Sequence, residues 1–413
     1  MIWSSSEEQP EHSTKAIPIS GHYSFEIYQQ VEDLPHTWAE LVHDRNVFLG
    51  SPFLSALQSS PPTGMQNRYL LLREAGQTVG VILLQLIEYR LKETLKGLDG
   101  SGIKSWRQKL SYRFADILNF NLLVIGNLLL SGEHAFLFRE GVLIREKGVS
   151  LILEALPKIK RELQQSEGQK LSGVLIKDLE TPLSPAERPG LLHQVTFQPS
   201  MELNLQPGWS SREDYLIDLQ SKYRVRARRA FKKAKGVQIQ EWGLMEIAEH
   251  QAQLHDLYQA VADKATFNML HLQPSYFTSL KEELREDFRL FAYRNPMGEL
   301  IGFCTLIRNG KAYDAHFLGI GEQANRENQL YLNMLFNMLG EAIEQPEIAS
   351  IVFGRTALEI KSSIGAKPHE VYCYIKHFNP IFNLIIGWLI RKYDPVEEWK
   401  PRHPFKTPQS IEA

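Results

Sequence analysis

Apolar and polar residues follow two different periods along the chain. Apolar residues recur about every 3.6 positions, as on one face of a helix, in segments 34–43, 150–165, 245–262, 276–286 and 329–344. Short apolar runs typical of strands lie between them, at 68–74, 79–89, 171–178, 194–205, 289–294, 300–308, 311–319 and 348–354. Interleaved strands and helices of this kind predict an α/β fold.

Two predicted hairpins, one in each half of the chain, share a common design. The first reads RYLLLREAGQTVGVILLQLI over 68–87, and the second reads RLFAYRNPMGELIGFCTLI over 289–307. In both, an arginine precedes a turn that ends in glycine, and a second glycine, Gly80 or Gly302, follows four positions later. Glycine at the start of a strand often marks a bulge or a close approach of two backbones. We therefore expect an internal duplication with its boundary near 199–201.

The chain is long enough for two domains of ordinary size. It has 413 residues, of which 43% are hydrophobic and 23% are charged, as in globular proteins. We expect an N-terminal domain at 21–199 and a C-terminal domain at 200–395. The polar segments 1–20 and 396–413 are expected to form a disordered lead and a loose tail.

Charge, cysteine content and missing motifs exclude several classes of protein. The net charge of −2 gives no bulk preference for nucleic acid or anionic membrane, although a local patch stays open. The two cysteines, Cys304 and Cys373, fit no metal-ligand spacing, so we expect no metal and a reducing compartment. The polar N-terminus lacks an apolar signal segment, which indicates a cytoplasmic protein. The sequence contains no P-loop, dinucleotide-binding glycine motif, HExxH or GxSxG.

The longest apolar run near the C-terminus, IFNLIIGWLI at 381–390, holds ten residues. That is about half the length that a bilayer-spanning helix needs. The pattern predicts a buried terminal helix. The alternative is peripheral contact with a membrane, helped by Trp388, Arg391 and Lys392.

A strongly basic segment, SKYRVRARRAFKKAKG, occupies 221–236. Small and aromatic residues recur in it at helical spacing, which predicts an amphipathic helix with basic flanks. One interpretation is a solvated helix that packs through its small residues. The other is a surface for a phosphate-rich ligand, such as tRNA, a nucleotide-linked precursor, a coenzyme or lipid headgroups. Lys222, Arg226 and Arg229 are the candidate contacts.

A second candidate site lies in IVFGRTALEIKSSIGAKP at 351–368. The apolar strand ends at Gly354, and Arg355 follows it. Thr356, together with Glu359 three residues later, forms a capping-box pattern. A helix start of this kind would offer backbone N–H groups to an anion or a developing oxyanion. Lys361 lies in the same helix, and ordinary capping with surface charge is the alternative interpretation.

Two histidines are further candidates for proton transfer. Glu133 and His134 follow an apolar run and could act as orienter and base, or form an ordinary loop. His316 lies on a predicted central strand with Asp314 on the same face, and a satisfied core histidine is the alternative.

These features together resemble the tandem acetyltransferase-fold (GNAT-like) proteins of the FemAB and BioF2-like class. The basic segment is similar to the family's SKxRxxxRRAxKKxG stretch, and Lys361 with Gly365 four positions on looks like its late Lys-to-Gly motif. The resemblance implies two tandem GNAT-like domains with mixed central sheets, and places Lys361 in the catalytic or acyl-donor region. Ile360 stands where the family carries an aromatic residue, and the helical arm of the tRNA-dependent members has no counterpart of adequate length. Both acyl-CoA, such as acetyl-CoA, and aminoacyl-tRNA therefore remain open as the co-substrate.

The sequence thus predicts a bacterial acyltransferase that moves an acetyl or amino-acyl group from an activated carrier to an amine, such as that of a cell-wall or other envelope precursor. The expected catalytic residues are Lys361, Glu359 and His316. The expected substrate- or donor-binding residues are Arg355, Thr356, Gly354, Lys222, Arg226, Arg229, Glu133 and His134. The alternative function is a non-catalytic binder of nucleic acid or of a nucleotide-linked precursor through 221–236.

Overall fold

The structure, a computed structural model, describes residues 15–90, 119–184, 192–264, 270–392 and 399–406. Most of the predicted lead and part of the predicted tail therefore lie outside the described residues. The strands are β1 (Ile17–Pro18), β2 (Tyr23–Tyr28), β3 (Met65–Glu74), β4 (Gln77–Arg90), β5 (Asn119–Ile125), β6 (Phe136–Phe138), β7 (Leu171–Leu179), β8 (His193–Val195), β9 (Ser200–Asn204), β10 (Gln238–Trp242), β11 (Phe288–Arg294), β12 (Leu300–Asn309), β13 (Ala312–Ile320), β14 (Ser350–Gly354), β15 (Lys367–His369) and β16 (Tyr372–His377). The α-helices are α1 (His36–Val42), α2 (Ser51–Ser59), α3 (Arg145–Glu167), α4 (Arg212–Asp218), α5 (Ser221–Lys233), α6 (Leu244–Glu249), α7 (Gln251–Ala262), α8 (Tyr276–Leu284), α9 (Glu322–Asn328), α10 (Leu330–Ile343), α11 (Leu358–Ser362) and α12 (Pro380–Lys392).

The strands form two mixed sheets of similar plan. In the first, the order is β1-β2-β3-β4-β5-β7-β16-β8, with β6 beside β4; in the second it is β10-β11-β12-β13-β14-β9-β15. Each sheet contains one parallel pair among the described strands, β5 with β7 and β13 with β14. The predicted α/β class with mixed central sheets is confirmed.

The two hairpins that share a sequence design also share a backbone irregularity. The register slips immediately after the pair Leu72–Gly80 in the first and after Tyr293–Gly302 in the second. A Cβ on Gly80 would lie 2.7 Å from the Phe138 ring, and one on Gly302 would lie 2.7 Å from the methyl group of Met334. A side chain at either bulge would therefore force neighbouring atoms to shift, and this common geometry supports the predicted duplication.

The two sheets exchange strands. The chain leaves the edge strand β8 of the first sheet and enters the second as β9; later it leaves the edge strand β15 of the second sheet and returns to the first as β16. As a result, β16 pairs with β7 on one side and β8 on the other. The division at 199–200 stays a proposal, and residues 372–377 of the proposed C-terminal domain lie in the first sheet.

Three large apolar clusters form the core, and one of them joins both halves of the chain. The first packs α3 on the first sheet, and another packs α4, α5 and α10 on the second. The joining cluster combines α1, α2 and strands of the first sheet with α7, α8 and strands of the second. At its edge, the Ser60 and Ser275 hydroxyls are 2.8 Å apart. The halves therefore share apolar surface that neither could bury alone.

Several predicted elements differ from those observed. The predicted strand 194–205 is divided into β8 and β9, and Pro199, which has no N–H to donate, precedes β9 directly. The predicted helix 245–262 is divided into α6 and α7 at His250. The prediction of a buried terminal helix is wrong: α12 exposes most of its large apolar side chains, because it packs on the first sheet through Asn383 and Gly387.

Candidate functional site

A cavity opens where the two parallel strands of the second sheet diverge. β13 and β14 pair only from Ala312 with Ser350 to Asp314 with Val352, although β13 continues for six further residues to Ile320. The register of β12 and β13 also slips here, so that Thr305 faces both His316 and Phe317. The Thr305 hydroxyl donates to the Phe317 carbonyl at 2.8 Å and accepts from its N–H at 3.0 Å, which fixes the bulge.

The cavity has a volume of about 560 Å³. Four of the predicted site residues line it: Lys361, His316, Arg355 and Thr356. Polar residues that sequence reasoning missed also line it: Tyr258, Lys264, Thr305, Glu322, Asn325 and Tyr331. These residues belong to several different helices, strands and loops, so no local sequence pattern singles them out.

Lys361 is a buried amine in the wall of this cavity. Its side chain is almost fully buried, and its Nζ donates to the carbonyls of Gly354 at 3.2 Å and Arg355 at 2.5 Å. No aspartate or glutamate of the described chain forms an ion pair with it. Burial lowers the pKa of Lys361 to about 7. A lysine in this environment exchanges a proton near neutral pH.

The turn that presents these carbonyls has an unusual backbone. Gly354, Thr356 and Ala357 all have positive φ, at 67°, 67° and 47°. α11 begins only at Leu358, its N-cap is Ala357, and no side chain caps it, so the predicted capping box at Thr356 is wrong. A helix of five residues offers no N-terminal anion site of its own. The left-handed turn instead directs the Gly354 and Arg355 carbonyls toward Lys361, and such strain often accompanies a functional site.

Glu359 lies outside the cavity. Its carboxylate accepts from Arg402 Nη2 at 2.9 Å and from the Lys400 N–H at 3.3 Å, and the hydrogen bond from Arg402 lowers its pKa. It borders a separate shallow depression of about 470 Å³, together with Lys222 and Arg226. The structure does not bring Glu359 together with Lys361 or His316, and its carboxylate instead pairs with Arg402, a contact that no sequence pattern indicates.

His316 is held by a buried tyrosine. Its Nε2 lies 2.7 Å from the Tyr276 hydroxyl, and its buried Nδ1 has no hydrogen-bond partner among the described residues. Burial lowers the pKa of His316 to about 3 and raises that of Tyr276 well above its ordinary value. His316 is therefore a neutral imidazole at physiological pH and a poor acceptor of a proton.

Asp314 and His316 do line a common space, as their spacing predicts. They border a small cavity of about 120 Å³ that also contacts Ser131, which lies after β5 in the first half of the chain, and Arg355. Burial, with the nearby charge of Glu202, raises the pKa of Asp314 to about 8. This carboxyl group is therefore largely protonated at neutral pH.

Arg355 links the cavity to the other half of the chain. Its guanidinium forms an ion pair with Asp178 near the end of β7. The Asp178 carboxylate also pairs with Lys177 and accepts hydrogen bonds from the Gly132 N–H at 3.1 Å and from the Cys373 thiol at 3.1 Å. Burial alone would raise the pKa of Asp178, but the two cations lower it. Asp178 was not predicted, and a Lys–Asp pair at the end of an otherwise apolar strand was the available signal.

Glu133 and His134 have separate partners. Glu133 forms an ion pair with Arg145 and accepts from the Glu180 N–H at 3.0 Å. His134 Nδ1 lies 3.3 Å from the Asn46 amide nitrogen, and burial followed by the nearby charge of Lys177 lowers its pKa to about 4. The structure does not form the predicted base–orienter pair from these two side chains, and neither lines the cavity at Lys361.

The basic helix α5 packs as its pattern predicts. Its buried residues are Ala227 and Ala230, and its basic flanks are largely exposed to solvent. Lys222 and Arg226 reach the shallow depression beside Glu359, whereas Arg229 is exposed away from both spaces. The segment is thus both a docked helix and a cationic surface.

The described residues contain neither a candidate metal site nor a membrane-spanning helix. No cluster of three or more histidine, cysteine, aspartate or glutamate side chains in the described ranges could hold a metal ion. Within the same ranges, no helix is long and apolar enough to cross a membrane.

Comparison with known proteins places the fold. The sequence matches no protein-family profile and no curated protein. The structure is similar to FemX, with a TM-score of 0.50 and 12% identity over 88% of this chain and 100% of that one. It is less similar to a tandem GNAT protein of clavulanic acid biosynthesis (TM-score 0.47, 14% identity, 86% and 99% of the two chains) and to N-myristoyltransferase of Saccharomyces cerevisiae (TM-score 0.47, 12% identity, 87% and 80%). The chain therefore has the tandem GNAT-like α/β fold seen in FemX.

Proposed function

We propose that this protein transfers an acyl group from an activated carrier to an amine, in the cavity between β13 and β14. The observation that carries the proposal is the buried Lys361 amine in the cavity wall, which has no carboxylate partner among the described residues and whose pKa burial lowers to about 7. Acyl transfer to an amine needs a group that removes one proton from the attacking nitrogen. Perturbed ionisable groups in a cleft are candidates for such a role.

Lys361 is the proposed general base. In its neutral form the amine has two N–H groups, which match the two carbonyls of Gly354 and Arg355, and one lone pair that remains available. The acceptor nitrogen attacks the acyl carbon, the C–N bond forms, and the bond from the acyl carbon to the carrier breaks. The proton lost by the nitrogen passes to Lys361, directly or through one water.

His316 is proposed to stabilise the negative charge that develops on the acyl oxygen. We assign the imidazole proton to Nδ1, the nitrogen without a hydrogen-bond partner among the described residues, with the Tyr276 phenol donating to Nε2. A neutral N–H donor in a dry site stabilises an oxyanion without reorganisation. Arg355, held by Asp178, adds a fixed positive charge at the same wall.

The carrier is proposed to be a phosphate-bearing one, either acyl-CoA or aminoacyl-tRNA. The basic flank of α5, with Lys222 and Arg226 beside the shallow depression, is the surface proposed to bind its phosphates. The acceptor is proposed to be the amine of a cell-wall or other envelope precursor in the cytoplasm of a bacterium. Glu359 is not part of this proposal, because Arg402 holds its carboxylate.

Turnover as a function of pH tests the role of Lys361. Because the neutral amine is the reactive form, kcat/KM should rise about tenfold per pH unit below pH 7 and level off above about pH 7. Lys361→Met should lower kcat/KM by roughly 10²–10³. Lys367→Met, which changes an exposed lysine on β15, is the matched control and should keep full activity. Turnover of Lys361→Met within twofold of the wild type would exclude the proposed role.

The rival function is a non-catalytic binder that uses the exposed basic flank of α5. A thermal-shift series with acetyl-CoA, CoA and tRNA shows which of these ligands the protein binds, because a ligand of the native state raises the melting temperature. For a pure binder, Lys222→Glu with Arg226→Glu would abolish tRNA stabilisation, binding would weaken steeply with salt, and no acyl donor would be consumed.

A further inference from the structure

The terminal helix α12 is attached to the first sheet by its polar and small residues. The Asn383 side chain accepts from the His377 N–H at 2.8 Å, and the Asn383 carbonyl lies 3.0 Å from His193 Nε2. One turn later, a Cβ on Gly387 would lie 2.3 Å from the His193 ring. These contacts fix which face of the helix points inward, and that face is the least apolar one.

The opposite face of α12 is apolar and largely exposed to solvent. Ile381 is 69% exposed and Trp388 is 52% exposed, although both are large side chains. The complete exposed set, at the spacing of one helical face, is Ile381, Phe382, Leu384, Ile385, Trp388 and Leu389. Exposed large apolar residues are normally scattered singly, and a contiguous group of six marks an interaction surface.

The helix itself carries charge of one sign. Within 380–392 the sequence contains no aspartate or glutamate, and its charged residues are Arg391 and Lys392; Lys376 precedes the helix, and the acidic residues Asp394, Glu397 and Glu398 follow it in the sequence. A further cation, Lys160 of α3, lies 4.4 Å from the centre of the Phe378 ring, immediately before the helix. The surface therefore combines a tryptophan, a phenylalanine and four aliphatic residues with basic ends. That combination matches the interface of an anionic bilayer, where apolar groups insert and cations meet the headgroups.

We propose that α12 docks the protein on the surface of an anionic lipid bilayer, with its apolar face inserted among the acyl chains. The helix has 13 residues, so it lies in the interface and does not cross it. The inference is independent of the proposed acyl transfer.

Vesicle flotation with the full chain tests this docking. Vesicles of phosphatidylcholine with about one-third phosphatidylglycerol should carry the wild type upward, and vesicles of phosphatidylcholine alone should carry much less. Leu384→Glu with Trp388→Glu should reduce the bound fraction on anionic vesicles at least tenfold. The matched control is Met245→Glu with Met297→Glu, which adds the same two charges at residues that are 81% and 79% exposed elsewhere, and it should float like the wild type. An unchanged melting temperature of all three proteins shows that they are folded.

A depth measurement excludes binding by charge alone. Brominated acyl chains should quench part of the tryptophan fluorescence of the wild type, and Trp388→Phe should float normally but lose that quenching. The proposal is overturned if the wild type does not float on anionic vesicles, or if the double variant floats as well as the control. It is also overturned if the wild type is a dimer that the double variant converts to a monomer while neither binds vesicles, since the face would then join two copies.

Discussion

At the scale of single residues, the cavity and the small cavity that shares His316 and Arg355 with it concentrate polar groups that burial holds away from their ordinary charge states. Lys361 loses its proton near pH 7, His316 stays neutral, and Asp314 keeps its proton to about pH 8. Each of these groups would have a lower free energy in its ordinary charge state in water, so burying them lowers the free energy of unfolding. Such a cost is expected where a side chain serves chemistry rather than packing.

The pH dependence of stability tests the burial of Lys361. The unfolded chain binds a proton on this lysine up to its ordinary pKa of 10.5, whereas the folded chain releases it near pH 7. The charged lysine therefore opposes folding fully below pH 7, and the penalty disappears as the pH rises toward 10.5. Lys361→Met should raise the free energy of unfolding at pH 6 by about 5 kcal/mol, and the gain should vanish by about pH 10. Urea titrations at both pH values measure it, and a gain independent of pH would contradict the burial.

The sequence identified Lys361 but not its surroundings. Lys361 could be singled out because its spacing to Gly365 resembles a family motif, and Arg355 because it follows the end of an apolar strand. Asp178 could not be assigned to the site, because it lies 177 residues before Arg355 and meets it only through the folded chain. Glu359 was misassigned for the same reason, since Arg402 is 43 residues away.

At the scale of elements, the strands were predicted more closely than the connections between them. The alternating runs and the turn glycines located β3, β4, β11 and β12 within a few residues, because strand pattern and turn chemistry are both local. The start of α11 was misplaced, because the backbone turns left-handed at Thr356 and Ala357, two residues whose side chains do not favour that conformation. The surface position of α12 also escaped prediction, since an apolar run does not reveal which face will be covered.

The bulge glycines give a test of the hairpin geometry. Gly302→Val should lower the free energy of unfolding by about 1–3 kcal/mol, because the added carbons would meet Met334 and the Gly319 carbonyl within 3.0 Å. Gly208→Val is the matched control, since nothing lies within 4 Å of a Cβ at Gly208. Chemical denaturation compares the two, and equal stability of the variants would show that the bulge does not need glycine.

At the scale of the whole molecule, the two halves are joined by strand exchange, by a shared apolar cluster and by the Arg355–Asp178 ion pair. The repeated hairpins of the sequence predict a division near 199–201. The exchange is not visible, because pairing between β7 and β16 joins positions about 195 residues apart, as the contact of Asp178 with Cys373 shows. Local patterns carry no information about such distant partners.

Fragments test this interdependence. Residues 1–199 and 200–413, expressed separately, should each fail to unfold cooperatively, because the first lacks β16 between β7 and β8 and the second carries β16 without a partner. The two fragments expressed together should form a soluble complex with one thermal transition. Cooperative unfolding of 1–199 alone, at the melting temperature of the full chain, would show that the halves are independent domains.

The most direct test of acyl transfer in the cavity between β13 and β14 is a crystal structure of the protein with an acyl donor. Two probes cover both carriers: acetyl-CoA, and a non-hydrolysable aminoacyl-adenosine that represents the end of an aminoacyl-tRNA. We expect the acyl group of one probe in the cavity. Its carbonyl carbon should lie close enough to Lys361 Nζ for a contact that is direct or bridged by one water, and its carbonyl oxygen should point toward His316. Density for both probes elsewhere, or for neither at saturating concentration, would contradict the proposed site.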